Sequence, residues 1–142
     1  MRNIVTGILI ALFATAALAA PATPGVTFVS LDGAHVSDGL MDVGVITYAR
    51  YGSRRVSRLT RRIGVRIEGA TGGRATLRAS LESPDARCRI RVDGLELSGT
   101  PRVIDMAAET GVVTPHRIEI EVPVDAAEGT LVSAVTWEVT TN

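Results

Sequence analysis

The sequence predicts an all-β protein, an antiparallel β-sandwich of about seven or eight strands. Three observations point there. Apolar and polar residues alternate with a period of two around residues 62–68, 74–81, 87–92, 117–124 and 131–139, as in strands with one buried and one wet face. Gly, Pro and Asp turns separate the strand-like stretches at spacings of roughly 10–14 residues. No stretch carries a convincing 3.6-residue period. Short joins and a polar face on each strand favour antiparallel pairing.

Residues 1–20 precede this pattern and read as a cleavable export signal. Arg2 supplies the positive end. Ile4 to Leu18 form an apolar run interrupted only by Thr6, Gly7 and Thr15, and Ala17-Leu18-Ala19 offers a small-residue cleavage site. The run is shorter than the ~20 residues a membrane span needs, and Pro21 and Pro24 follow it. The expected mature domain is 21–142, about 120 residues, close to the commonest size for one domain. Export implies a secreted, periplasmic or cell-surface location, with no stable membrane span once the signal is removed.

Pro21 to Gly25 read as an extended leader and Val26 to Leu31 as the first mature strand. Asp32-Gly33 and Asp38-Gly39 bracket a turn-rich segment, and Leu40 to Ala49 form the next strand. Residues 50–61 are Arg-rich and polar, a loop or a solvated strand. Ile63, Val65 and Ile67 then alternate with Arg62, Arg66 and Glu68. Thr71-Gly72-Gly73 suits a tight hairpin into Ala75, Leu77, Ala79 and Leu81. Ser83-Pro84-Asp85 marks a turn, and Cys88, Ile90 and Val92 continue the alternation to Asp93-Gly94. Arg102 to Met106 read as a short edge strand, and 107–111 as a loop or one turn of helix. Ile118, Ile120, Val122 and Val124 form a strand ending near Pro123, which lacks an N–H and suits an edge or a strand end. Leu131, Val135, Trp137 and Val139 lie on the last strand.

Charge is balanced overall but not along the chain. Residues 50–91 hold twelve arginines against Glu68, Glu82 and Asp85, a balance of +9, while 93–142 hold two against nine acids, a balance of −7. All basic residues are arginine, as a GC-rich genome would produce. A domain-wide basic field for nucleic acid is absent, and interleaved aromatics are lacking. Arg62, Arg66, Arg74, Arg78, Arg89 and Arg91 all fall on outward positions. If their three strands are neighbours, they form a basic docking face; Glu119 and Glu121 would offset part of it as cross-strand partners.

Catalytic constellations are missing from the pattern. His35 and His116 are isolated, without the three or four clustered ligands of a zinc site. There is no Gly-x-Ser-x-Gly elbow and no phosphate-cradling loop. Glu119 and Glu121 share a wet strand face. Cys88, the sole cysteine, falls with the inward apolar set and reads as a small buried hydrophobe. The expectation is a non-enzymatic protein with no cofactor and no metal.

Three stretches carry a family likeness: Leu40-Met41-Asp42-Val43-Gly44-Val45-Ile46, Val92-Asp93-Gly94-Leu95-Glu96-Leu97-Ser98, and Gly129-Thr130-Leu131 with Val135-Thr136-Trp137-Glu138-Val139-Thr140. With them the chain resembles bacterial secreted β-sandwich proteins of the fimbrial-subunit and spore-coat-protein-U type. It departs from many of these in having one cysteine and a Trp near the closing end. The resemblance implies an immunoglobulin-like sandwich that is a structural subunit of a surface fibre or coat. It implies assembly by β-strand addition, with self-association or a periplasmic chaperone as partner. Val26 and Phe28 then belong to a donor strand or to an ordinary first strand, and Leu131, Val135, Trp137 and Val139 to a second assembly strand. The alternative is a soluble periplasmic or secreted module binding a carbohydrate or another protein.

Overall fold

A computed structural model describes residues 4–16, 25–33, 35–37, 40–48, 56–69, 73–123 and 129–141. Within them eleven strands form: β1 Ile4–Ala16, β2 Gly25–Ser30, β3 His35–Ser37, β4 Leu40–Tyr48, β5 Val56–Glu68, β6 Arg74–Leu81, β7 Arg89–Val92, β8 Leu95–Glu96, β9 Arg102–Glu109, β10 Val113–Pro123 and β11 Gly129–Thr141. Eight of these (β1, β2, β4, β5, β6, β9, β10 and β11) have six residues or more, and β3, β7 and β8 are short. No helix occurs among the described residues. The expected cleavage site at 17–20, Tyr51, Thr71-Gly72 and the turn at 125–128 lie outside them.

The strands make a two-sheet β-sandwich. One sheet has the order β3-β4-β1-β11-β6-β9, the other β2-β5-β10-β7-β8. Every pair is antiparallel except β1 with β11, which is parallel.

The alternating apolar residues supply the core. From one sheet come Ile10, Leu77, Ala79, Val135, Trp137 and Val139, from the other Ile63, Val65, Ile90, Val92, Ile118 and Ile120, all essentially inaccessible. Each large aliphatic side chain so buried contributes about 1.5–3 kcal/mol. Trp137 is the largest of them. Its ring lies 6.0 Å from that of Phe28 and 5.9 Å from that of His116, so it ties the six-stranded sheet to β2 and β10 of the other.

Several connections differ from the sequence reading. The glycine turn before β6 is not a hairpin: β5 and β6 lie in different sheets, so the chain crosses between layers there. Alternation shows which face of a strand is buried but not which sheet holds the strand, and both inner faces enter one core. Residues 107–109 extend β9, and Thr110-Gly111 is the turn. Residues 56–61 are strand, the first part of β5. Asp93-Gly94 does make a two-residue hairpin loop between β7 and β8, with φ of 51° and 83°. Positive φ at both positions matches a type I′ turn, the kind an Asp-Gly pair favours. Pro123 is the last residue of β10, where its missing N–H interrupts no ladder.

Candidate functional site

The segment expected to leave with the export signal is, in the full chain, an interior strand. β1 lies between β4 and β11. It pairs with β11 in continuous register from Thr6↔Gly129 to Ala16↔Val139, and with β4 from Ile4↔Tyr48 to Ala11↔Leu40 across a bulge between Ile8 and Leu9. Ile10 is fully buried and opposes Ser133, itself only 3% exposed. The Ser133 hydroxyl has no hydrogen-bond partner. β1 therefore fills a slot bounded by two strand edges, with one buried hydroxyl on its wall left unsatisfied.

The expected assembly residues divide. Val26 and Phe28 are half-buried on β2, an edge strand that pairs only with β5 among the described strands. Val135, Trp137 and Val139 point into the core from β11, the strand that forms one wall of the slot. Leu131 belongs to the same strand and pairs with Ile8; its side chain, like that of His35 on β3, lies outside the described set.

The six arginines are not brought onto one face. Arg62 and Arg66 lie on β5 and Arg89 and Arg91 on β7, in the five-stranded sheet. Arg74 and Arg78 lie on β6, in the other sheet. β10 separates β5 from β7 and places its two glutamates between them. Glu121 accepts from Arg58 Nε at 2.9 Å and Arg91 Nη1 at 3.2 Å. Arg89 and Arg91 also reach Glu96 at 3.9 and 3.7 Å. Arg117 pairs with Glu119 at 3.0 Å and Arg66 with Glu68 at 3.2 Å. Arg78 donates to the Thr140 hydroxyl at 3.0 Å. On the outer face of the five-stranded sheet Arg58, Arg66, Arg89, Arg91 and Arg117 are thus each paired with a glutamate. The hydrogen bond from Arg58, then that from Arg91, holds the Glu121 carboxyl below its usual range.

One constellation escaped the sequence reading. His116 is buried on the inner face of β10, and its Nδ1 lies 2.6 Å from Asp93 Oδ2. Asp93 also accepts the Arg117 N–H through Oδ1 at 2.8 Å and donates its own N–H to the Arg117 carbonyl. A carboxylate at Nδ1 makes that nitrogen the donor; buried Nε2 has no partner. Extending the alternation of Ile118, Ile120 and Val122 back by two residues would have placed His116 inward. The pairing with Asp93 needs the hairpin turn and had no signal. The pair clamps the β7–β8 turn to β10.

The remaining features carry little chemistry. Cys88 is half-buried against the core, and burial pushes its thiol up, away from the reactive thiolate. No group of three His, Cys, Asp or Glu able to hold a metal occurs among the described residues. A shallow depression at the β8–β9 connection is lined by Leu95, Ser98, Thr100, Pro101, Arg102 and Val103. Among the described residues no helix is long and apolar enough to cross a membrane. No protein-family model matches the chain, and no curated protein matches it.

Proposed function

We infer that this is an exported, non-enzymatic structural subunit that assembles into a surface fibre or coat by β-strand addition. One observation carries the reading. The segment with the sequence of an export signal is an inserted strand, paired on both sides inside the six-stranded sheet. Removing residues 1–20 leaves β4 and β11 with facing unpaired edges in mid-sheet. Unpaired edges of this kind recruit another strand, with backbone hydrogen bonds giving affinity and alternate side chains giving register. The likeness of residues 40–46, 92–98, 129–131 and 135–140 to fimbrial-type subunits points the same way.

The test is the chain beginning at Pro21, followed by size-exclusion chromatography at rising concentration, alone and with a periplasmic chaperone. The reading expects a ladder of oligomers or a stable chaperone complex. A folded chain that stays monomeric under both conditions overturns it.

A second reading, a binding module, is favoured by one patch. Val29, Leu31 and Val113 are 40–46% exposed on the five-stranded sheet. They gather around Gly64, where an added Cβ would come within 2.5 Å of Val113 Cγ1 and 3.5 Å of Leu31 Cδ2. An exposed apolar cluster of this kind marks a contact surface. Retention on a carbohydrate array that is lost in Val29→Asp would support it.

A further inference from the structure

We propose that the export segment is the first occupant of its own acceptor slot, so that the uncut chain is closed to assembly and cleavage opens it. This rests on the strand-addition reading and adds the regulation of that site. The register is the first argument. β1 satisfies β11 from Gly129 to Val139 and β4 from Leu40 to Tyr48, the same edges an incoming strand would need. Tethering is the second. A strand joined to the domain through 17–24 competes at the high effective concentration of an intramolecular ligand, which a free strand cannot match until the tether is cut.

The third argument is that β1 fits the slot incompletely. Ile10 fills the row opposite Ser133, and the buried Ser133 hydroxyl finds no partner there. A buried hydroxyl left unpaired favours any occupant that satisfies it. The successor is therefore an apolar extended strand with a hydrogen-bonding side chain, Ser, Thr or Asn, at the Ile10 row. β1 holds the slot by tether and backbone pairing and yields it once released.

The experiment locks the segment in place. In the full chain, made without export and carrying Cys88→Ser, the pairs Thr6→Cys with Ile46→Cys and Gly7→Cys with Val45→Cys join adjacent rows of the β1–β4 ladder. Neighbouring antiparallel rows alternate in spacing, so one pair suits a cross-link. Thr6→Cys with Tyr48→Cys is the off-register control. A protease site between Ala20 and Pro21 cuts the tether. The expected result is an in-register disulfide, no assembly of the cut oxidised chain, and assembly of the same sample after reduction. Failure of both in-register pairs to cross-link faster than the control overturns the proposal. So does equal assembly of oxidised and reduced chains. A cross-link that forms, with no assembly even after reduction and removal of the segment, overturns the strand-addition reading and the gate with it.

Discussion

Asp93, in the β7–β8 turn, grips β10 through His116: Oδ2 lies 2.6 Å from the buried Nδ1, and Oδ1 takes the next backbone N–H, that of Arg117. The grip joins a tight turn to the central strand of the five-stranded sheet. Asp93→Ala removes both acceptors, leaves a buried imidazole unpaired and places Ala at a φ of 51°. We expect a loss of about 2–3 kcal/mol in urea unfolding. Asp93→Asn keeps an acceptor and tolerates positive φ, so its loss should be smaller.

Glu121 sets an acid limit. Its carboxyl lies below the usual value of about 4.3 because Arg58 and Arg91 donate to it. A carboxylate depressed by folding contributes stability above its unfolded value and loses it as pH falls through the folded one. Glu121→Gln should therefore cost about 1 kcal/mol or less at neutral pH, and the difference from wild type should vanish in strong acid. Urea midpoints from pH 7 down to pH 2 check this; a difference that persists at the acid end contradicts it.

Trp137, the single tryptophan, is fully buried between Phe28 and His116. Its emission should be blue-shifted in the folded chain and move red on unfolding. Trp137→Ala should cost about 3–5 kcal/mol, enough to unfold a marginal domain, and Trp137→Phe much less.

Ser133 is a polar residue whose removal should help the uncut chain. Its hydroxyl is buried opposite Ile10 without a partner. Ser133→Ala should raise the stability of the full chain by about 1 kcal/mol. A thermal melt showing a loss instead would mean that the hydroxyl is satisfied in solution.

Much of the architecture was legible from alternation alone. Ile63-Val65-Ile67, Leu77-Ala79-Leu81, Ile90-Val92 and Ile118-Ile120-Val122 enter the core as their period of two requires. The partition into sheets was not legible, because a period of two is blind to a strand's neighbours. That is why Arg74 and Arg78 part from Arg62, Arg66, Arg89 and Arg91. The slot was hidden for a related reason: Ile4–Ala16 is apolar apart from Thr6, Gly7 and Thr15, as an export segment and a doubly flanked strand both are. The Asp93–His116 clamp spans 23 residues, and only the fold brings its halves together.

Amide hydrogen exchange across β11 in assemblies of the chain beginning at Pro21 tests the account most directly. If strand addition fills the slot, the amides of 129–139 that face β1 in the full chain stay protected in the oligomer. Oligomers that persist while those amides exchange as freely as an open edge would place assembly on another surface and contradict the account.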